Sequence, residues 1–255
     1  MRHIHHLAMA LMLWGGLSAQ AAPVAEQSAH PSPPQVIESM LRYNQQFVSN
    51  HDHDYFVGHQ EAQHPHITLL GCSDSRASAA SFTADPTDRV FSIRNIGNQL
   101  QNSFGSVDYG VHHLKTPILL VLGHTHCGAV QAALGDYQSE SFAVIRELDH
   151  LALPLQGLNQ GQRQSDFEQI WLQGVERNVD YQVKTAIKRY QQEVAQGKLV
   201  VVGAVYDFIN AYGSGEGRLI VVNINGEHKL EKLYQHPVLN SIPAPLKGQV
   251  VKRAQ

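Results

Sequence analysis

The sequence predicts an α/β fold: a central, mainly parallel β-sheet flanked by helices. From Ile67 onward, short apolar segments alternate with segments whose apolar residues recur at helical spacing. The chain of 255 residues, 43% of them hydrophobic, is long enough to form one such domain with a buried core. Its formal net charge of −3, with 19 basic against 22 acidic residues, gives no indication of a nucleic-acid-binding surface.

Three short apolar segments predict the first strands of the sheet: residues 67–71, 89–93 and 117–122. Between the second and the third, Phe104, Val107, Val111 and Leu114 follow a 3.6-residue period and predict a helix. A helix that connects two successive strands indicates that the strands run parallel, because a parallel pair needs a long crossover connection.

The last third of the chain predicts a long helix, a further strand and a hairpin. Apolar residues recur at helical spacing over residues 175–194, and Gly197 separates them from a predicted strand at 199–206. The segment 218–233 is interrupted by Asn225-Gly226, a dipeptide typical of tight β-turns. We therefore expect a C-terminal β-hairpin.

The amino-terminal segment predicts export. Residues 1–21 combine a polar start, an apolar run over residues 7–17 and the small-x-small pattern Ala19-Gln20-Ala21, which together are typical of a cleaved signal peptide. The apolar run is shorter than the roughly 20 residues needed to span a bilayer, so no stable membrane anchor is expected. The mature protein is predicted to be periplasmic.

Composition then sets the expected domain boundaries. Residues 22–34 are rich in Pro, Ala and Ser and predict a flexible linker. Apolar residues at helical spacing over residues 35–49 predict a helical arm. We expect residues 35–255 to form a single domain that carries this arm at its amino terminus.

Two short segments contain the residues with metal-binding chemistry: 72–76 (Cys-Ser-Asp-Ser-Arg) and 124–127 (His-Thr-His-Cys). The only two cysteines of the chain lie in them. Each segment follows a predicted parallel strand, and the carboxyl ends of such strands meet at one edge of the sheet. Cys72, His124 and Cys127 together supply two thiolates and one imidazole, a ligand set that suits zinc and leaves its fourth position open.

Two roles are open for Asp74. Its carboxylate could be a fourth zinc ligand in a closed state, or it could accept a hydrogen bond from a zinc-bound hydroxide. Arg76, two residues later, is able to bind the carboxylate with two parallel hydrogen bonds and keep it ionised. If Arg76 pairs with Asp74, zinc keeps its water.

With these motifs in place, the chain resembles the β-class carbonic anhydrases from about Gln63 to Asn225. The resemblance is carried by segments 72–76 and 123–128 and by 94–98 (Arg-Asn-Ile-Gly-Asn). It implies one zinc per chain bound by the two cysteines and the histidine, and an Asp74–Arg76 catalytic dyad. The implied reaction is the reversible hydration of carbon dioxide to bicarbonate and a proton by zinc-bound hydroxide.

The resemblance also implies a substrate pocket and an assembly. Gln63 matches a glutamine that binds substrate in the subgroup with an open zinc site, and three apolar positions match residues that surround carbon dioxide, often across a dimer interface. These are Phe91, Ile96 and Tyr109. A homodimer or a dimer of dimers is therefore expected.

Two other functions are compatible with the same residues. A hydrolase of carbonyl sulfide or carbon disulfide would need the same zinc site and a different pocket shape. Because export leads to an oxidising compartment, the chain could also be a periplasmic binding protein stapled by a Cys72–Cys127 disulfide. Metal content and a count of free thiols distinguish the last of these from the zinc enzymes.

Overall fold

The structure, a computed structural model, describes residues 30–158 and 166–254. The predicted signal peptide, its cleavage site and most of the predicted linker lie outside these residues. The chain divides into two compact units, one up to Gly58 and the other from His59 onward. Within the described part of the chain, no helix is both long enough and apolar enough to cross a bilayer.

The first unit contains two helices, α1 (Pro33–Ser49) and α2 (His53–Val57). The predicted helix over residues 35–49 is confirmed, but it begins two residues earlier than predicted, at Pro33, and so includes the last two residues of the predicted linker. Helix α1 starts at a proline, and the N–H of Ser32 just before it donates to Gln35 Oε1 at 2.8 Å. No residue of α1 is buried, so its apolar residues are exposed.

The second unit contains five described strands and seven described helices. The strands are β1 (Ile67–Cys72), β2 (Val90–Asn95), β3 (Ile118–His124), β4 (Val200–Asp207) and β5 (Arg218–Ile224). The helices are α3 (Phe104–Asp108), α4 (Gly128–Leu134), α5 (Phe142–Asp149), α6 (Phe167–Arg189), α7 (Gln191–Ala195), α8 (Leu230–Tyr234) and α9 (Ala244–Val250). A π-helical turn, Tyr109–His113, continues α3.

The described strands form one sheet in the order β2-β1-β3-β4-β5. All neighbouring pairs are parallel except β4 and β5. The predicted fold class is therefore confirmed. The chain leaves β1 in one direction to form β2 and continues on its other side with β3, so the carboxyl ends of β1 and β3 border a crevice where such sheets place their sites.

The predicted hairpin at Asn225-Gly226 is wrong. Both residues have the positive φ of a tight turn, 49° and 89°, and one bridge joins Ile224 to Glu227. However, the chain then enters helix α8 instead of a second strand. The reason is tertiary: Leu233 of α8 is fully buried against Ile224 and its neighbours. The antiparallel partner of β5 is β4, which precedes it in the chain.

Strands β1 and β3 are buried on both faces, as expected for a parallel sheet. Leu70 and Val121 pack into the core on the face covered by α6, whereas Leu69 and Leu120 pack on the opposite face. Helix α6 lies so close to β3 that a Cβ at Gly123 would be 2.8 Å from Val179. This close contact places α6 beside the residue that precedes His124.

Gly110 provides a test of the crossover helix. A Cβ at this position would lie 2.2 Å from Thr68 Oγ1, which hydrogen-bonds Thr116 Oγ1 at 2.7 Å in the buried sheet. We expect Gly110→Ala to lower the free energy of unfolding by about 1–3 kcal/mol, because the core must move to admit the methyl group. The matched control is Gly105→Ala in α3, where a Cβ meets nothing within 4 Å. The control should gain up to about 1 kcal/mol from helix propensity. Equal urea midpoints for the two variants would contradict this packing.

Candidate metal centre

The residues predicted to bind a metal meet at one end of the sheet. Cys72 is the last residue of β1 and His124 the last residue of the adjacent β3. Cys127 directly precedes α4. One ligand atom from each of the three residues lies within 4.8 Å of the others, and all three side chains are buried. The structure thus brings together three of the predicted site residues.

A short turn places Cys127 close to His124. His126, between them, has a φ of 54°, so the chain reverses in the left-handed region before α4 begins. The imidazole of His126 stacks on Trp171 at 4.6 Å between ring centroids, and Trp171 Nε1 donates to the carbonyl of Cys127 at 2.9 Å. Helix α6, which carries Trp171, therefore fixes the turn from outside.

The tautomer of His124 is set by its neighbour. Its Nδ1 lies 2.9 Å from the carbonyl oxygen of Thr125, and a carbonyl only accepts, so Nδ1 donates. The lone pair is then on Nε2 of the neutral ring. Nε2 is fully buried and has no hydrogen-bond partner among the residues that the structure describes. A buried nitrogen lone pair facing two sulfurs is the arrangement that a metal ion satisfies.

The two sulfurs differ in acidity. A hydrogen bond from the Cys127 thiol lowers the pKa of Cys72 well below its usual value. The pKa of Cys127 is raised well above its usual value, first by its hydrogen bond to Cys72 and then by burial. Cys72 is therefore the first of the pair to ionise, and a bound cation would favour the thiolate of both.

Asp74 is held by Arg76. Arg76 Nε and Nη2 donate to Oδ1 and Oδ2 of Asp74 at 2.9 and 2.7 Å, and the Arg76 backbone N–H donates to Oδ1 at 3.0 Å. The side-chain hydrogen bonds of Arg76 hold the pKa of Asp74 well below its usual range. Oδ2 lies 3.8 Å from His124 Nε2, so the clamped carboxylate borders the three ligands without joining them.

The donor set fits zinc. Two sulfurs, one unpartnered imidazole nitrogen and a neighbouring carboxylate supply three ligands of the type that zinc prefers and leave one position for water or substrate. Both cysteines of the chain are free and not bonded to each other. The disulfide that a stapled binding protein requires is therefore not formed in this structure.

A family model described as "Carbonic anhydrase" matches residues 67–213 of this chain. The chain belongs to the carbonic anhydrase family. Among its relatives, carbonic anhydrase 2 of Mycobacterium tuberculosis is 30% identical over 162 residues, which cover 60% of this chain and 75% of the relative.

Similar solved structures identify the chain as a β-class carbonic anhydrase enzyme. A Coccomyxa β-carbonic anhydrase in complex with acetazolamide is 25% identical and has a TM-score of 0.62, covering 83% of this chain and 92% of that chain. A β-carbonic anhydrase of Sordaria macrospora, described as tetrameric, has a TM-score of 0.64 at 23% identity, with 74% of this chain and 98% of that chain covered. The second likeness is one of fold alone.

The predicted substrate residues of this β-carbonic anhydrase lie on the surface of the described chain. Gln63 is exposed in the segment before β1. Phe91 is half-buried, and its ring lies 5.7 Å from that of Tyr109, which is 44% exposed. Ile96, the residue after β2, is 36% exposed. Their roles in substrate binding stay predictions.

Several residues that support the site are not apparent from metal-binding patterns. Arg94, in a segment of the family resemblance, donates from Nε to the carbonyl of Cys72 at 3.0 Å and so fixes the end of β1. Thr125 donates its N–H to the carbonyl of Tyr206 at 3.0 Å and ties the ligand loop to β4. The position of Thr125 between His124 and Cys127 was the one available signal for its role.

Asn178 of α6 is a further support, because it holds the backbone donor of Cys72. After the Cys127 thiol, which has the largest effect, the backbone N–H of Gly97 is one of the groups that lower the pKa of Cys72. The carbonyl of Gly97 accepts from Asn178 Nδ2 at 2.8 Å, and Asn178 Oδ1 accepts from Gln182 Nε2 at 2.9 Å. The backbone that faces the Cys72 sulfur is thus tied to helix α6.

We expect Asn178→Ala to lower the free energy of unfolding by about 2 kcal/mol, because the buried Gly97 carbonyl and Gln182 Nε2 each lose their hydrogen bond to Asn178. Zinc affinity, measured by chelator competition, should also fall roughly tenfold. The matched control is Asn223→Ala, which removes a buried amide bonded to Asp180. It should lose stability and keep its zinc affinity. If both variants keep full zinc affinity, Asn178 has only a structural role.

Proposed function

We propose that this β-carbonic anhydrase catalyses the reversible hydration of carbon dioxide with one zinc ion bound by Cys72, His124 and Cys127. The observation that carries the proposal is the unpartnered Nε2 of His124, buried beside two free cysteines and a clamped carboxylate. The match of the family model to residues 67–213 supports the reaction.

Asp74 and Arg76 have different roles in the proposed reaction. Bound zinc would polarise a water molecule and supply a nucleophile near neutral pH. Asp74 is held ionised, so its Oδ2 is able to accept a hydrogen bond from the attacking water and orient a lone pair toward carbon dioxide. Arg76 keeps the carboxylate away from the ligand position, which corresponds to an open site.

We also propose that Gln63, Phe91, Ile96 and Tyr109 contribute to the substrate pocket, as in the subgroup with an open zinc site. Their exposure is compatible with a pocket completed by a second copy of the chain. We propose a dimer or a dimer of dimers, supported by the tetrameric Sordaria macrospora relative. Light scattering at several protein concentrations tests the assembly.

The function is tested by metal analysis and stopped-flow hydration of the purified mature protein. We expect about one zinc per chain, hydration of carbon dioxide that stops on zinc removal, and recovery on zinc addition. The same preparation should be offered carbonyl sulfide and carbon disulfide. A zinc-loaded protein that hydrolyses these substrates and does not hydrate carbon dioxide would replace the proposal with the hydrolase.

We propose further that the protein acts in the periplasm. The support is the signal-like sequence of residues 1–21, which lies outside the described residues. Amino-terminal sequencing of the mature protein should find a start near Ala22. A cytoplasmic protein that begins at Met1 would contradict export.

A further inference from the structure

The guanidinium of Arg76 lies over an aromatic ring. Its Cζ is 4.8 Å from the centroid of the Phe208 ring, within the range of a cation–π contact. The same ring lies 5.5 Å from the imidazole of His124, at an angle of 60°. Phe208 therefore contacts both the clamp of Asp74 and a ligand residue.

Phe208 is held in place from both sides. Its N–H donates to Thr125 Oγ1 at 2.8 Å, in the ligand loop. Just before it, the buried carboxylate of Asp207 accepts three backbone hydrogen bonds that fold the following loop, from Ile209, Ala211 and Tyr212 at 3.2, 3.0 and 3.1 Å. The rings of Phe208 and Tyr206 also pack at right angles, with 4.9 Å between their centroids. The ring is therefore a fixed surface.

The Arg76 side chain has few other contacts that restrict its rotamers. Its side chain is 53% exposed, and its contacts beyond Asp74 include a hydrogen bond of 3.3 Å to the carbonyl of His126. A long, half-exposed side chain has many rotamers of similar energy, so a ring that restricts its plane raises the population of the forked geometry.

The same three-part arrangement occurs at the carboxyl end of α6. Arg189 donates two hydrogen bonds, from Nε and Nη2, to the two carboxylate oxygens of Asp108. Its Cζ lies 4.2 Å from the centroid of the Phe104 ring. Arg189, Asp108 and Phe104 are remote from the metal ligands. Loss of the Phe104 ring therefore measures what such a ring contributes to stability alone, without an effect on the metal site.

We propose that Phe208 is a positioning residue that keeps Arg76 oriented to hold Asp74 off the metal position. The expected effect of Phe208 on the hydration rate rests on the proposed function. Its expected effect on the geometry of the Arg76–Asp74 pair does not depend on the reaction. Phe208 acts through Arg76 and His124 and need not touch carbon dioxide.

The test compares Phe208→Leu with Phe208→Tyr and Phe104→Leu in the zinc-loaded protein. Phe208→Leu should keep its zinc, because the three ligands are intact, and its kcat/KM for hydration should fall about fivefold, which corresponds to the loss of roughly 1 kcal/mol of cation–π energy. Crystal structures should show Asp74 partly released from Arg76 and turned toward zinc. Phe208→Tyr retains the ring and should restore both rate and geometry. Phe104→Leu should change only the unfolding midpoint.

The outcomes separate the two claims. If Phe208→Leu keeps the forked Asp74–Arg76 pair and the wild-type rate, the inference is wrong whatever the reaction. If wild-type protein binds zinc and does not hydrate carbon dioxide, the proposed function fails, and release of Asp74 in Phe208→Leu crystals still supports the positioning role. A Phe208→Tyr variant that behaves like Phe208→Leu would also overturn the inference.

Discussion

Cys127→Ser is expected to abolish zinc binding and carbon dioxide hydration together. The Cys127 sulfur is buried in the three-residue group, and the neighbouring Asp74 carboxylate is held away from it by Arg76, so neither bulk water nor Asp74 is free to replace it. A serine hydroxyl is a poor zinc ligand at neutral pH because it stays protonated. Hydration should fall at least about a thousandfold, to the rate without a metal-activated water.

Cys72→Ser should behave in the same way, although the two thiols differ in acidity. The thiolate of Cys72 forms more easily, but zinc binding needs both sulfurs ionised. Zinc content is measured by elemental analysis after dialysis, and hydration by stopped flow. Full zinc occupancy in Cys72→Ser would remove that residue from the ligand set.

A core control separates loss of metal from loss of fold. Val183 of α6 is fully buried and is not part of the ligand group. We expect Val183→Ala to lower the free energy of unfolding by roughly 2 kcal/mol and to keep about one zinc per chain. If this variant also lost zinc, the cysteine results would no longer identify the ligands.

The second large effect concerns Asp74 and Arg76, whose changes should have different structural results. Asp74→Asn should keep zinc and lower kcat/KM about a hundredfold, because an amide does not orient the attacking water as an ionised acceptor does. Arg76→Ala should free the carboxylate, whose Oδ2 is already only 3.8 Å from His124 Nε2. Asp74 is then expected to become the fourth zinc ligand and close the site, with a loss of roughly ten- to a hundredfold in rate.

Crystal structures and hydration rates of both zinc-loaded variants, taken at the same pH, decide the matter. The matched control is Arg189→Ala, which removes the partner of Asp108 from a similar forked pair far from the ligands. It should cost about 0–1 kcal/mol of stability and leave hydration unchanged. Near-normal rates in both Asp74→Asn and Arg76→Ala would refute the dyad.

The metal centre was predictable because its chemistry is concentrated in few residue types. Two cysteines in the whole chain, both placed after apolar strand segments, left little choice of ligands, and the meeting of Cys72, His124 and Cys127 in one group is confirmed. The residues that support the site were harder to predict from the sequence. Phe208 and Arg94 are ordinary residues whose roles depend on the rings and carbonyls that they meet across the fold.

By itself, the sequence determined the fold class and indicated Cys72, His124 and Cys127 as candidate zinc ligands, because strand periodicity, turn residues and metal-binding side chains are local properties of the chain. Tertiary structure decided which element comes after Asn225-Gly226: the turn forms, but burial of Leu233 against Ile224 favours helix α8 over a second strand. It also decided which ring lies against the Arg76 guanidinium that holds Asp74: Phe208 is 132 residues away by chain number (208 − 76). Such contacts depend on distances across the folded chain, and a linear pattern does not contain them.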